Sequence, residues 1–103
     1  MGIYESQRYS GLSEDEIFGK LTCEGHRPTR VIEQPGAIYD SHMNSYDLVL
    51  AFLRGSAEIR IGGQVYHCVP GDKLNIPGSV PHSGVVGTEG VVYLMTQVVN
   101  CAD

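Results

Sequence analysis

Residues 56–76 read SAEIRIGGQVYHCVPGDKLNI, and this stretch decides the predicted fold class. Apolar and polar side chains alternate on both sides of Gly62-Gly63, a dipeptide that is typical of a two-residue hairpin turn. A second turn, Pro70-Gly71-Asp72, separates this hairpin from another short apolar run. Turns placed so close together leave room only for short strands. The stretch therefore predicts antiparallel β-structure.

The same pattern extends in both directions, because short apolar runs alternate with turn signals and the chain contains 13 glycines. About eight short strands joined by tight turns predict an all-β sandwich or jelly-roll barrel. One run, 48–53, is apolar on both faces and is expected to lie centrally, covered on both sides. The predicted strands are 29–33, 37–42, 48–53, 56–61, 64–69, 73–76, 82–86 and 91–99, with turns at Arg54-Gly55 and at 87–90 among others.

A short helix is predicted ahead of the strands. Ser13-x-x-Glu16 has the spacing of a capping box, and apolar residues follow at helical intervals. The helix is expected over 13–24, with Gly25 available as its left-handed terminator. Residues 1–12 show no periodicity and are expected to form a mobile arm or an edge strand. A chain of 103 residues is one domain, divided into an N-terminal arm and helix (1–28) and a barrel (29–99).

Composition excludes several classes of function. The formal net charge is −5, with only seven Lys and Arg and no basic cluster, so nucleic-acid binding has no electrostatic support. No apolar run approaches the roughly 20 residues of a membrane span, and no signal-peptide core is found, so a cytoplasmic protein is expected. Cys23, Cys68 and Cys101 form no C-x-x-C pair. They are expected to be buried or terminal bystanders, with one reactive thiol as the alternative.

Two histidines, His42 and His82, each follow a glycine at a characteristic spacing. Gly36 is followed after five residues by His42-Met43-Asn44, and alternate strand positions share a face, so His42 and Asn44 are expected to point the same way. Leu48 reaches the same interior if the alternation continues past a short turn. Gly71 is followed after five residues by Pro77-Gly78, and the prolines of this loop deliver His82.

With these motifs the chain resembles a small single-domain cupin over residues 29–99. The first cupin motif is Gly, five residues, His-x-His, three or four residues, Glu, six residues, Gly; the second is Gly, five residues, Pro-x-Gly, two residues, His. The resemblance implies a jelly-roll β-barrel, a small-molecule ligand and a homodimer paired through sheet edges. The matching residues are Gly36, His42 and Gly55 in the first motif, and Gly71, Pro77 and His82 in the second.

The departures from the cupin pattern bear on the metal. Asn44 replaces the second histidine, and Leu48 stands at the glutamate position, while the neighbouring Asp47 is expected to face the opposite side. Two of the four implied ligands remain. His42, His82 and Asn44 could hold one divalent transition metal (Zn, Mn, Fe or Ni) with reduced affinity. Alternatively, no metal binds and the two histidines are neutral polar groups of a pocket.

Three functions remain open from the sequence. The first is a small-molecule-binding cupin with a degraded metal site. The second is a metal-dependent enzyme, dioxygenase- or isomerase-like, using His42, His82 and Asn44. The third is a non-catalytic scaffold. Cupins also occur fused to DNA-binding helices in regulators, and such a role would here need a separate partner. The expected pocket residues are Tyr39, His42, Asn44, Leu48, Phe52 and His82.

Overall fold

The computed structural model describes residues 2–23 and 27–98. Seven strands form one antiparallel sheet in the order β1-β6-β4-β7-β2, with β3 pairing with β7 and β5 with β4. This confirms the predicted all-β architecture with one short helix. The elements are β1 (Tyr4–Glu5), α1 (Glu14–Cys23), β2 (Thr29–Glu33), β3 (Ile38–His42), β4 (Asp47–Ile61), β5 (Gln64–Cys68), β6 (Lys73–Ile76) and β7 (His82–Val98).

The predicted turns at Arg54-Gly55 and at 87–90 are wrong. Strands β4 and β7 run continuously through both positions and pair with each other, with register shifts on either side of Gly55. Gly55 and Gly90 have left-handed φ angles of 69° and 79°, and a Cβ on Gly55 would overlap the carbonyl oxygen of Gly90. These glycines bend two long paired strands together instead of reversing the chain, which is the geometry of a β-bulge.

Residues 48–52 of strand β4 are buried on both faces, as the apolar run there predicts. Leu48, Leu50 and Phe52 belong to the core inside the barrel. Val49 and Ala51 belong to a second core on the opposite face, together with Tyr9, Ile17 and Leu21. Full burial of a leucine such as Leu21 contributes roughly 1.5–3 kcal/mol. The residues on the helix side, Tyr9, Ile17 and Leu21, therefore cover the second apolar face of this strand.

Helix α1 begins with the predicted capping box. The backbone N–H of Ser13 donates to Glu16 Oε1 at 2.9 Å, and the backbone N–H of Glu16 donates to Ser13 Oγ at 3.1 Å. These reciprocal bonds satisfy donors that have no partner within the helix. Gly25, the predicted terminator, lies outside the described residues.

The N-terminal arm is an edge strand that a buried carboxylate fastens to the barrel. Tyr4 and Glu5 pair with Leu74 and Lys73 of β6. Asp72 is fully buried and accepts hydrogen bonds from the Tyr4 hydroxyl at 2.7 Å and the Gln7 backbone N–H at 2.9 Å. It also accepts from Gln7 Nε2 at 2.9 Å and from the backbone N–H of Val69 at 3.0 Å. One side chain thus joins the arm to the turn before β6.

Candidate ligand-binding site

His42 and His82 lie against each other at one end of the barrel. They are direct register partners, at the end of β3 and the start of β7. Their ring centroids are 4.2 Å apart, with an edge-on angle of 61° between the ring planes. His82 is only 8% exposed, whereas His42 is exposed. One imidazole therefore lies inside the barrel and the other at its mouth.

The loop before His82 is held by polar contacts to the segment that follows His42. The backbone N–H of Gly78 donates to Asp47 Oδ1 at 2.6 Å, and the backbone N–H of Ser79 donates to the carbonyl oxygen of Asn44 at 2.7 Å. Ser79 has a left-handed φ of 64°, at a position where cupins usually have glycine. Asp47 thus binds the loop and does not line the cavity beneath the histidines.

A cavity of about 220 Å³ lies beneath the two histidines. Of the residues expected in the pocket, Tyr39, His42, Leu48 and His82 line it. Phe52 lines a smaller adjoining cavity of about 40 Å³, and Asn44 lines neither, so its part in the site stays a prediction. The apolar wall consists of Leu48, Leu50, Ile59, Ile76 and Met95.

Glu33 and Tyr93 also line this cavity, although neither was among the expected pocket residues. The Tyr93 hydroxyl donates to Glu33 Oε2 at 3.4 Å. A side-chain hydrogen bond to Glu33, followed by burial, raises the pKa of Tyr39 to about 12. Burial and the Glu33 charge raise the pKa of Tyr93 as well. The only sequence signal for Glu33 is its alternation with Val31 on β2, which places it on the inward face once β2 is docked.

The environment of His82 favours a neutral imidazole. Burial lowers its pKa below the ordinary value of 6.5, and nearby His42 lowers it further, against an opposing effect of the Val80 carbonyl. His82 Nδ1 lies 3.4 Å from that carbonyl oxygen, and His42 Nδ1 lies 3.1 Å from the carbonyl oxygen of Asp40. Because a carbonyl only accepts, each Nδ1 is the donor in these contacts, and in the neutral imidazole of His82 Nε2 is left as an acceptor.

The described residues do not fit a conventional metal centre. Catalytic divalent sites generally use three protein ligands. Within residues 2–23 and 27–98, no group of three His, Cys, Asp or Glu side chains is placed to hold a metal ion. Leu48, at the glutamate position of the cupin motif, contributes an apolar wall beside the two imidazoles. The site therefore offers two imidazoles, and no described carboxylate, Glu33 included, is placed to form a group of three ligands with them.

His67 and Cys68 lie away from this cavity. His67 is exposed on β5, where its Nδ1 is 3.9 Å from Glu58 Oε2. Cys68 is buried and free, and burial raises the pKa of its thiol to about 12, which disfavours the reactive thiolate. His26, Cys101 and the side chain of Cys23 lie outside the described part of the chain.

An antiparallel barrel with a histidine pair delivered by these two motifs is a cupin. Residues 30–99 match the AraC-like ligand binding domain. This match covers most of the chain, and the protein belongs to that family. Within the described ranges, no helix is long and apolar enough to cross a membrane.

Solved structures share the fold of this chain. A conserved protein of unknown function from Streptococcus pyogenes, SPY1581, is 25% identical, with a TM-score of 0.65 over 73% of this chain and 65% of that one. The cupin superfamily protein DSY2733 of Desulfitobacterium hafniense is 20% identical, with a TM-score of 0.64 over 73% and 68% of the two chains. Bacillus subtilis oxalate decarboxylase, which has Mn(II) centers, is 24% identical, with a TM-score of 0.61 over 72% of this chain and 21% of that one. The matched region thus spans just under two thirds of the streptococcal protein and a fifth of the decarboxylase. Among curated proteins the chain has no significant match.

Proposed function

We propose that the protein binds a small organic molecule in the cavity beneath His42 and His82, with no resident metal ion at the histidine pair. The observation that carries this proposal is the cavity of about 220 Å³, whose wall is mainly apolar and whose polar groups are few. Such a combination is typical of small-molecule sites, where the wall supplies affinity and a few polar groups fix orientation. The family, named for ligand binding, supports the same reading.

The exposure of the lining residues indicates how a ligand would enter. Tyr39 is 39% exposed while Leu50 is 5% exposed, so the cavity runs from an open mouth towards the core. A ligand would place its apolar part against Leu50 and its polar part near the histidines. Removing apolar surface from water stabilises the complex by roughly 25 cal/mol per Å² before the cost of immobilising the ligand.

A thermal-shift screen of sugars, organic acids and phenolic compounds tests the proposal. A ligand at about 100 times its Kd stabilises the folded state by roughly 2.7 kcal/mol, which raises the Tm of a domain of this size by roughly 10–20 °C. Leu50→Phe fills the cavity and should abolish the shift. The matched control Ile32→Phe places the same side chain on the outer surface, where Ile32 is 62% exposed. A compound that stabilises wild type and Leu50→Phe equally would contradict binding in this cavity.

A metal-dependent enzyme using His42, His82 and Asn44 is the second candidate. The observation that favours it is the 4.2 Å separation of the imidazole rings. Its test is elemental analysis of protein purified without chelators, before and after addition of Fe, Mn, Zn or Ni. Near-stoichiometric metal that is lost in His82→Ala but kept in His67→Ala would establish this reading against the first. A protein that binds neither metal nor ligand would instead support a scaffold.

A homodimer remains part of the proposal, through the outer face of β3 and β7. Ile38 and Val85 are register partners and are 72% and 48% exposed. Together with Val65 they line a shallow groove that is apolar enough to be covered by a second copy. Light scattering after size exclusion should give a dimer for wild type and a monomer for Ile38→Lys. A monomeric wild type would contradict this part.

A further inference from the structure

The ligand-binding cavity carries one formal charge, and that charge is negative. The negative charge is the carboxylate of Glu33, which lines the cavity. Among the described residues, no lysine or arginine lines either the main cavity or the smaller one that adjoins it. The residues outside the described ranges include no lysine or arginine either. A ligand that brings a negative charge would therefore meet Glu33 without any compensating cation.

The polar groups of the cavity are mostly left as acceptors. The Tyr93 hydroxyl donates to Glu33, and the hydroxyl of Tyr39 is also hydrogen-bonded to that carboxylate. His82 uses Nδ1 to donate to a backbone carbonyl, which leaves Nε2 of the neutral imidazole with a lone pair. Glu33, Tyr39, Tyr93 and His82 therefore need a ligand that donates hydrogen bonds.

Size and aromatic lining narrow the ligand further. At roughly 30 Å³ per water molecule in the liquid, a cavity of about 220 Å³ has the volume of about seven waters. This admits a compact molecule with an apolar body the size of one ring. Tyr39 and Tyr93 both line the cavity, and tyrosine rings attract organic cations through the ring quadrupole.

We propose that the cavity is selective for a small organic cation, a protonated amine on a compact apolar body, with Glu33 as its counter-ion. This inference rests on the proposed function, because it names the chemical class that the same cavity accepts. The ammonium group would donate to Glu33 and to the free acceptors around it, while the body of the ligand packs against Leu48 and Leu50. The overall net charge of −5 favours the approach of such a ligand over long distances.

The test uses three probes of the same shape and different charge: benzylammonium, benzyl alcohol and benzoate. Their affinities are measured by calorimetry in the presence of EDTA, which removes competing metal ions. A charge-assisted hydrogen bond contributes roughly 1.5–3 kcal/mol, so benzylammonium should bind at least about tenfold more tightly than benzyl alcohol. Benzoate should bind most weakly of the three.

Glu33→Gln and Glu58→Gln separate the local effect from the effect of net charge. Both variants remove one negative charge, but Glu58 is exposed and lies outside the cavity. Glu33→Gln should lower benzylammonium affinity at least about tenfold and leave benzyl alcohol within about twofold of wild type. Glu58→Gln should change neither affinity. Glu33→Asp keeps the charge and should keep the preference, which guards against a trivial loss of structure in the glutamine variant.

Three patterns of affinity would overturn the inference, as would the absence of binding by any probe. The first is equal affinity of wild type for benzylammonium and benzyl alcohol. The second is tighter binding of benzoate than of benzylammonium. The third is an equal loss of benzylammonium affinity in Glu33→Gln and Glu58→Gln. Benzyl alcohol binding that disappears in Leu50→Phe would still uphold the proposed function in the first of these cases. If no probe binds at all, the proposed selectivity for organic cations is refuted. The proposal that the cavity binds a small molecule is then tested by the thermal-shift screen alone.

Discussion

The substitution Asp72→Ala, which removes a buried carboxylate, should lower the free energy of unfolding by about 3–4 kcal/mol. Asp72 has no exposed surface and accepts four hydrogen bonds from three residues, Tyr4, Gln7 and Val69. A hydrogen bond to a charged group contributes roughly 1.5–3 kcal/mol. The four contributions do not add, because they share one acceptor group and the arm can move its donors into water once the carboxylate is gone.

Urea denaturation of Asp72→Ala measures this loss. A decrease of 3–4 kcal/mol corresponds to a Tm lower by roughly 15–25 °C in a domain of this size. Glu58→Ala removes an exposed carboxylate and should stay within about 0.5 kcal/mol of wild type. A change below about 1 kcal/mol in Asp72→Ala would refute the claim that this side chain fastens the arm to the barrel.

The pH dependence gives an independent check. Burial alone would raise the pKa of Asp72, but hydrogen bonds from Val69, Gln7 and Tyr4 together hold it below the ordinary value of 3.8. A lowered folded pKa means that the carboxylate stabilises the fold fully above its unfolded pKa and loses this effect as the pH falls through the folded value. Asp72→Asn cannot titrate, so its stability should fall less than that of wild type below about pH 5. Identical pH profiles of the two proteins would argue against this assignment.

Further substitutions test the bend at Gly55, the loop before His82 and the position of Leu48 beside the two histidines. Gly55→Ala places a methyl group against the Gly90 carbonyl and should cost at least roughly 3 kcal/mol. By contrast, Gly19→Ala meets nothing within 4 Å and should stabilise the helix by roughly 0.5–1 kcal/mol in the same urea assay. Ser79→Gly relieves a left-handed φ of 64° and should stabilise the protein by roughly 0.5–1 kcal/mol, whereas a loss in thermal unfolding would indicate that the side chain itself is needed. Leu48→Glu adds a carboxylate beside the two imidazoles and should raise Zn²⁺ affinity at least roughly tenfold in calorimetry, while Leu48→Gln should not. Equal affinities would contradict the position assigned to Leu48.

Local signals in the sequence were sufficient for most elements of the fold. The hairpin at Gly62-Gly63 is confirmed, since Ile61 and Gln64 are register partners across it. The capping box at Ser13 is confirmed in the same way. In both cases the residues that decide the structure are neighbours in the chain, so their chemistry is readable without knowledge of the fold.

The errors concern long-range pairing. The dipeptide Arg54-Gly55 is typical of a turn in sequence. In the structure, however, Gly55 lies against the carbonyl of Gly90, a residue 35 positions further along the chain. Glu33 reaches the cavity only because β2 pairs with the middle of β7, where Glu33 lies opposite Val91. The sequence motifs indicated the two histidines, but no local pattern could place this carboxylate beneath them.

The cavity lies between two strands that differ in burial and pairing, β4 and β3. Leu48 and Leu50 lie on β4, which pairs with β5, β6 and β7, so their backbone amides should exchange with deuterium only on global unfolding. Tyr39 and His42 lie on β3, whose five residues are all exposed and which, in the described part of the chain, pairs only with β7 across a register irregularity. Amides of β3 should therefore exchange through small local openings. A bound ligand that bridges the two strands would slow exchange in β3 by suppressing its local openings, and would slow exchange in β4 by stabilising the fold against global unfolding. Because the β3 amides exchange first, their protection can detect occupancy of the cavity before the ligand is known.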